Sequence, residues 1–181
     1  MNILETIWKG GVIVYPADTL WGLGGDATQE QVAQKIIRIK GRPPEKGMVV
    51  LVSDYAMLEK YVGPVPPQAM DLLEKTPEPL TIIYPSARGL SPGVLGPDGS
   101  AALRMVRRGF AHDLIKAARR PLISTSANFS GRPAPRRFDE IDPALLAMTD
   151  YVVTLHRQKM AGRPSKIVKL NDDGSVQIIR P

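Results

Sequence analysis

The strongest constraint on the fold is a rhythm of short apolar runs separated by stretches long enough for a helix. The runs are VIVY at 12–15, MVVLV at 48–52, LTIIYP at 80–85, AALRMV at 101–106, PLIST at 121–125 and YVVTLH at 151–156. Runs this short, bounded by Gly and Pro, suit buried strands. Helical patterns fill 3–8, 28–40, 54–61, 66–75, 110–119 and 140–149. In the second of these, Thr28 is the expected cap with Gln31 as its capping-box partner. Val32, Ile36 and Ile39 share its inner face, and Gly41 with Pro43-Pro44 ends it. The chain closes on KIVKL and SVQIIR joined by NDDG, a hairpin signal. Alternation plus a terminal hairpin predicts an α/β fold with a mixed parallel and antiparallel sheet. With no repeat, linker or low-complexity tract, residues 1–181 read as one domain.

A chain of 181 residues with 43% apolar and 23% charged side chains can bury a substantial core, which argues against disorder. No apolar run reaches the roughly 18 residues of a membrane span. The MNILETIWKGG start lacks a signal-peptide pattern and there is no cysteine, so a cytoplasmic protein without disulfides is expected. Zinc chemistry is disfavoured, because His112 and His156 are the only soft ligands. Charge is unevenly placed. Residues 1–100 carry nine cations against eleven anions, whereas 101–181 carry fifteen against seven. That asymmetry suits either a polyanionic ligand or a solvated basic surface.

The common phosphate and hydrolase motifs are missing. There is no GxxxxGK[ST], WGLGGDA matches GxGxxG poorly, and STSANFSG lacks the GxSxG elbow. The Gly- and Pro-rich stretch 86–99 is long for a connection and is expected to be a functional or mobile loop. Four segments stand out instead. YPADTLWGLGGDA (15–27) exposes Asp18 and Thr19 after a strand, as a turn or as a site. KGRPPEKG holds Lys40 and Arg42 two apart, suited to phosphate or carboxylate oxygens or to the negative end of a helix. Arg104 in SAALRMV sits among apolar neighbours and needs a partner, either a carboxylate of the chain or a bound anion. STSANFSG supplies Ser124, Ser126 and Asn128, as turn caps or as short polar contacts to a ligand.

Taken together and in order, YPADTLWGLGGDA, Lys40-x-Arg42, LRMV with Arg104 and Ser126-Ala127-Asn128 resemble the YrdC/Sua5 family of threonylcarbamoyl-adenylate synthases. The resemblance continues more weakly to GRPSKIV and to Arg180 in IIRP, and its length matches members made of the catalytic domain alone. It implies an open, concave, electropositive α/β sheet that condenses L-threonine, bicarbonate and ATP, the ATP carrying Mg²⁺. The products are threonylcarbamoyl-AMP and pyrophosphate, the former passed to a partner complex that modifies adenosine 37 of tRNA. By resemblance, Lys40, Arg42 and Lys46 hold phosphates, with Lys40 and Arg42 carrying catalysis. Ser100, Ser126, Asn128 and Arg180 surround the nucleotide, and Thr19, Arg104, Ser124 and Ser165 hold threonine.

The chain departs from the family pattern at Ser165-Lys166-Ile167, at Leu51 and at Pro16-Ala17-Asp18. The first places a lysine where relatives carry a small hydroxyl residue, close to the implied threonine pocket. Two other readings use the same basic concavity. One is a non-catalytic protein binding tRNA or double-stranded RNA, although aromatics interleaved with the cations are lacking. The other is carbamoyl transfer to a different acceptor.

Overall fold

A computed structural model describes residues 2–43, 45–155, 158 and 162–181. Its nine strands are β1 (Ile13–Pro16), β2 (Trp21–Gly24), β3 (Val49–Val52), β4 (Leu80–Tyr84), β5 (Ala101–Met105), β6 (Leu122–Ser126), β7 (Tyr151–Val152), β8 (Lys166–Leu170) and β9 (Val176–Arg180). They form one sheet in the order β7-β1-β2-β6-β3-β5-β4-β8-β9. β1–β7, β3–β5 and β4–β8 pair parallel, while β1–β2, β2–β6, β3–β6, β4–β5 and β8–β9 pair antiparallel. The sheet is mixed, as the alternating runs and the terminal hairpin predict.

Among the described residues six α-helices flank it: α1 (Ile3–Trp8), α2 (Glu30–Lys40), α3 (Tyr55–Val62), α4 (Pro67–Lys75), α5 (Phe110–Ala118) and α6 (Pro143–Ala147). Local chemistry sets their ends. Asn2 and Glu5 form a capping box on α1, Asp54 Oδ1 accepts from Met57 N at 2.8 Å, and Gly41 closes α2 in the left-handed conformation at φ 59°. Strand parity then sorts the core. Val14, Leu23, Val50, Val52, Ile82 and Leu103 meet α2, α3 and α4 on one face. Ile13, Tyr15, Leu51 and Leu122 meet α1 and α5 on the other. These two helices make their strand contacts with β1 and β3. Arg104, which pairs with Leu51 across β3 and β5, lies on the same face of the sheet and is only 4% exposed.

Several expectations are corrected. Thr28 does not cap α2: its N and Oγ1 both donate to Asp26 Oδ1, at 2.9 and 2.7 Å, and the helix starts at Glu30 after an uncapped Gln29. The Asp26 carboxylate is a nearby and stronger acceptor. The 86–99 stretch is pinned rather than loose. Arg88 N donates to Tyr61 O, Ser91 N to Ala27 O and Gly96 N to Ser100 O, while Val94 O accepts from Met48 N, all within 2.9 Å. The strand expected at 151–156 is confined to Tyr151–Val152, and His156 lies outside the described residues. WGLG, read within 15–27 as part of a turn or a site after a strand, is strand β2.

Those glycines have a packing reason. A Cβ on Gly22 or Gly24 would approach the Tyr15 ring to 3.2 or 3.1 Å, and on Gly24 it would lie 1.8 Å from Ile123 O. That carbonyl already accepts from the Tyr15 hydroxyl at 3.2 Å and sits in the strand beside β2. Backbone against backbone cannot yield without separating β2 from β6. Gly24→Ala is therefore expected to lower unfolding free energy by about 3 kcal/mol. A urea midpoint equal to that of the parent protein would refute the close approach.

Candidate active site

Residues of β2, β5, β6, β8 and β9 and of the loop after α2 line a cavity of about 310 Å³. Thr19 and Trp21 enter it from β2 and the turn before it, Arg42 and Gly47 from the loop after α2, and Arg104 from β5. Ser124, Thr125 and Ser126 come from β6, and Ser165, Ile167 and Arg180 from the β8–β9 hairpin and its approach. Residues far apart in the chain meet because β6 lies between β2 and β3, and β5 and β4 bridge β3 to β8.

Arg104 answers the question of its partner in two halves. Its Nη2 lies 2.9 Å from Asp18 Oδ1, and both side chains are largely buried. Its Nε is buried with no hydrogen-bond partner. Asp18 thus anchors one edge of the guanidinium and leaves donors for something else. Arg42 repeats the pattern: Nη2 donates to Lys46 O at 2.6 Å and Gly47 O at 3.1 Å, while Nε is buried and unpartnered. Burial holds its pKa below the usual arginine value. Arg180 donates to Ser165 O through Nε and Nη2 at 2.9 and 2.7 Å, and its pKa is lowered by burial and then by Arg104. Ser165 Oγ in turn is 2.8 Å from Thr81 Oγ1. Among the described residues, three guanidinium groups line the cavity and no Asp or Glu does. Buried donors left unmatched are unfavourable until an anion satisfies them.

Seven of the residues singled out in sequence line this cavity: Thr19, Arg42, Arg104, Ser124, Ser126, Ser165 and Arg180. Four do not. Lys40 is buried, its Nζ donating to Ser126 O and Asn128 O at 2.5 and 2.7 Å, and burial followed by repulsion from Arg42 pulls its pKa to about 8. Lys46 is exposed and meets Arg42 through its carbonyl. Ser100 is buried at the entry to β5, where its N donates to Asp98 Oδ1 at 3.1 Å. Asn128 accepts from Ser126 Oγ and lines the neighbouring cavity of about 520 Å³.

The departures from the family pattern also resolve. Lys166 points away from the cavity, its Nζ 3.7 Å from Glu78, so the expected cation in the pocket is absent and Ile167 lines the wall instead. Leu51 is fully buried in the core beneath α5. Tyr15 was missed by sequence reasoning. It is fully buried, its hydroxyl donates to Ile123 O at 3.2 Å, and desolvation raises its pKa to about 12. Only its apolar company in VIVY was visible in sequence, and that marks it as core.

No group of three or more His, Asp or Glu among the described residues could hold a metal ion, and no described helix is long and apolar enough to cross a membrane. The fold is an open mixed α/β sheet carrying an arginine-lined cavity. The chain belongs to the Sua5/YciO/YrdC family, whose model, described as "Telomere recombination", matches residues 5–181. It is 38% identical over 155 residues to threonylcarbamoyl-AMP synthase of Stenotrophomonas maltophilia, spanning 84% of this chain and 83% of the relative. The Xanthomonas euvesicatoria enzyme of the same name is 37% identical over 180 residues, 98% of this chain and 94% of the relative. Among solved structures, P. abyssi Sua5 superposes with a TM-score of 0.88 at 25% identity, over 98% of this chain. The chain spans 54% of that protein. E. coli YciO gives 0.83 at 25% identity, with 98% and 85% covered.

Proposed function

We propose that this chain is a threonylcarbamoyl-AMP synthase, acting as one YrdC-like domain in the cytoplasm. The observation that carries the reading is the convergence of three guanidinium groups and a row of hydroxyls on one cavity free of lining carboxylates. Such a site suits a substrate set made of anions: a triphosphate, bicarbonate and an amino-acid carboxylate.

In this reading Arg42, with Lys46 alongside, takes the ATP phosphates, while Arg180 and Ser126 border the nucleotide. Arg104 takes the threonine carboxylate beside Thr19, Ser124 and Ser165. Mg²⁺ arrives on the triphosphate. The threonine amine, once deprotonated, attacks the bicarbonate carbon; a carbamate forms and water leaves. A carbamate oxygen then attacks the α-phosphorus, and the bond from that phosphorus to the β-phosphate oxygen breaks to release pyrophosphate. No side-chain nucleophile is required. The chain contributes orientation of three reactants and stabilisation of charge growing on the leaving group. The adenylate would pass to a complex that installs the group on adenosine 37 of tRNA.

The test is pyrophosphate release from ATP and bicarbonate, with L-threonine, serine, glycine or no amino acid. Release that depends on threonine is expected. Binding of ATP without threonine-dependent release points to another carbamoyl acceptor. No ATP binding at all removes the enzyme reading and leaves the cations for RNA.

A further inference from the structure

Lys40 is the feature that the proposed chemistry leaves out of place. It ends α2 two residues before Arg42, yet Arg42 lines the cavity and Lys40 does not. An ammonium has three donors. Those of Lys40 face three acceptors on the turn after β6: Ser126 O at 2.5 Å, Asn128 O at 2.7 Å and Asn128 Oδ1 at 3.3 Å. Its backbone joins in, because Lys40 O accepts from Ser130 N at 2.8 Å. The residue is therefore clipped to residues 126–130 through both its ammonium and its backbone carbonyl, and is only 6% exposed. The turn is in turn organised for the cavity. Ser126 Oγ donates to Asn128 Oδ1, the same oxygen that Lys40 holds, and Asn128 Nδ2 donates to Phe129 O and Arg132 O. That network fixes the orientation of the one hydroxyl, Ser126, that the turn offers to the cavity.

We propose that Lys40 is a positioning residue: it clips the 126–130 turn to α2 and so orients Ser126 beside the nucleoside, while Arg42 alone of the pair meets phosphate. The proposal rests on the reading of the cavity as a nucleotide site. The two roles differ in what a substitution takes away. A phosphate contact is lost in proportion to the phosphates on the ligand. A misplaced turn weakens the nucleoside whether or not phosphates are attached.

Binding of ATP, adenosine and inorganic pyrophosphate is therefore compared in the parent protein, Lys40→Met and Arg42→Ala. Lys40→Met is expected to weaken ATP and adenosine by the same factor, about 10-fold for the lost hydrogen bonds, and to leave pyrophosphate within about two-fold. Arg42→Ala should show the reverse split. Should Lys40→Met fail to fold, Asn128→Ala cuts the same clip at one acceptor and carries the same comparison with a smaller loss. Where Lys40→Met does fold, adding Asn128→Ala to it should change little further, because both act through one network. Loss of pyrophosphate binding in Lys40→Met with adenosine unaffected overturns the positioning role and leaves the nucleotide site standing. Failure of the parent protein to bind any of the three ligands removes the nucleotide site itself, and the role of Lys40 with it.

Discussion

Arg42→Ala is expected to lower kcat/KM for ATP by about 10³-fold while moving the unfolding midpoint little. A single guanidinium facing transferred phosphates is worth roughly this much when it stabilises charge that grows during reaction. The structural side of the ledger is small. Arg42 makes two hydrogen bonds, both to carbonyls of its own loop at Lys46 and Gly47, and no carboxylate depends on it. Their removal should cost about 1 kcal/mol. The Nε has no partner within the protein, so removing it breaks no internal hydrogen bond. Arg42→Lys should not restore the rate, because a point charge on a flexible stem cannot reach the loop carbonyls and a phosphate oxygen together. Initial rates of pyrophosphate release across ATP concentrations, with a urea melt on the same samples, separate the effects. A variant whose rate and stability collapse together would make Arg42 a structural residue.

Much of this architecture was legible in the residues. Short apolar runs and a hairpin signal placed most strands, and Gly41 marked the end of α2 where capping chemistry puts it. The failures have physical causes. β2 was hidden because Gly22 and Gly24, which break strand patterns in sequence, are required by the Tyr15 ring and the Ile123 carbonyl lying over them. Thr28 looked like a cap because nothing local shows that the Asp26 carboxylate will capture it. The 86–99 stretch looked mobile because its composition is that of a loop, and the hydrogen bonds pinning it come from residues up to about 64 positions away. In the site, Arg104 announced itself as a buried cation in need of a partner, but the sequence left the choice between Asp18 and a ligand open. The structure gives it the first and leaves room for the second. Lys40 and Arg42 look equivalent in sequence, two cations in one loop. Only the fold shows that one turns inward to carbonyls and the other toward the cavity.

Arg104→Ala is expected to raise the threonine requirement by about 10²-fold and the ATP requirement by no more than about three-fold. The asymmetry follows from placement. Arg104 is held by Asp18 through Nη2, which fixes the guanidinium in a cavity that Thr19, Ser124 and Ser165 also line. A planar fork preset in this way pairs with a carboxylate with little loss of side-chain freedom, and truncating one partner of such a pair costs several kcal/mol. Stability should also fall, by about 1–3 kcal/mol, because Asp18 keeps a charge with no partner; its side chain is 19% exposed, so water can recover part of the loss. Asp18→Asn separates alignment from charge. It preserves Arg104 and its charge but weakens the anchor, so the threonine requirement should rise less than in Arg104→Ala while ATP binding is unchanged. KM values for both substrates in the two variants, with melting curves to correct for unfolded protein, decide the matter. Equal losses toward threonine and ATP would show that Arg104 serves the whole cavity, and the assignment of the amino-acid carboxylate to it would have to be abandoned.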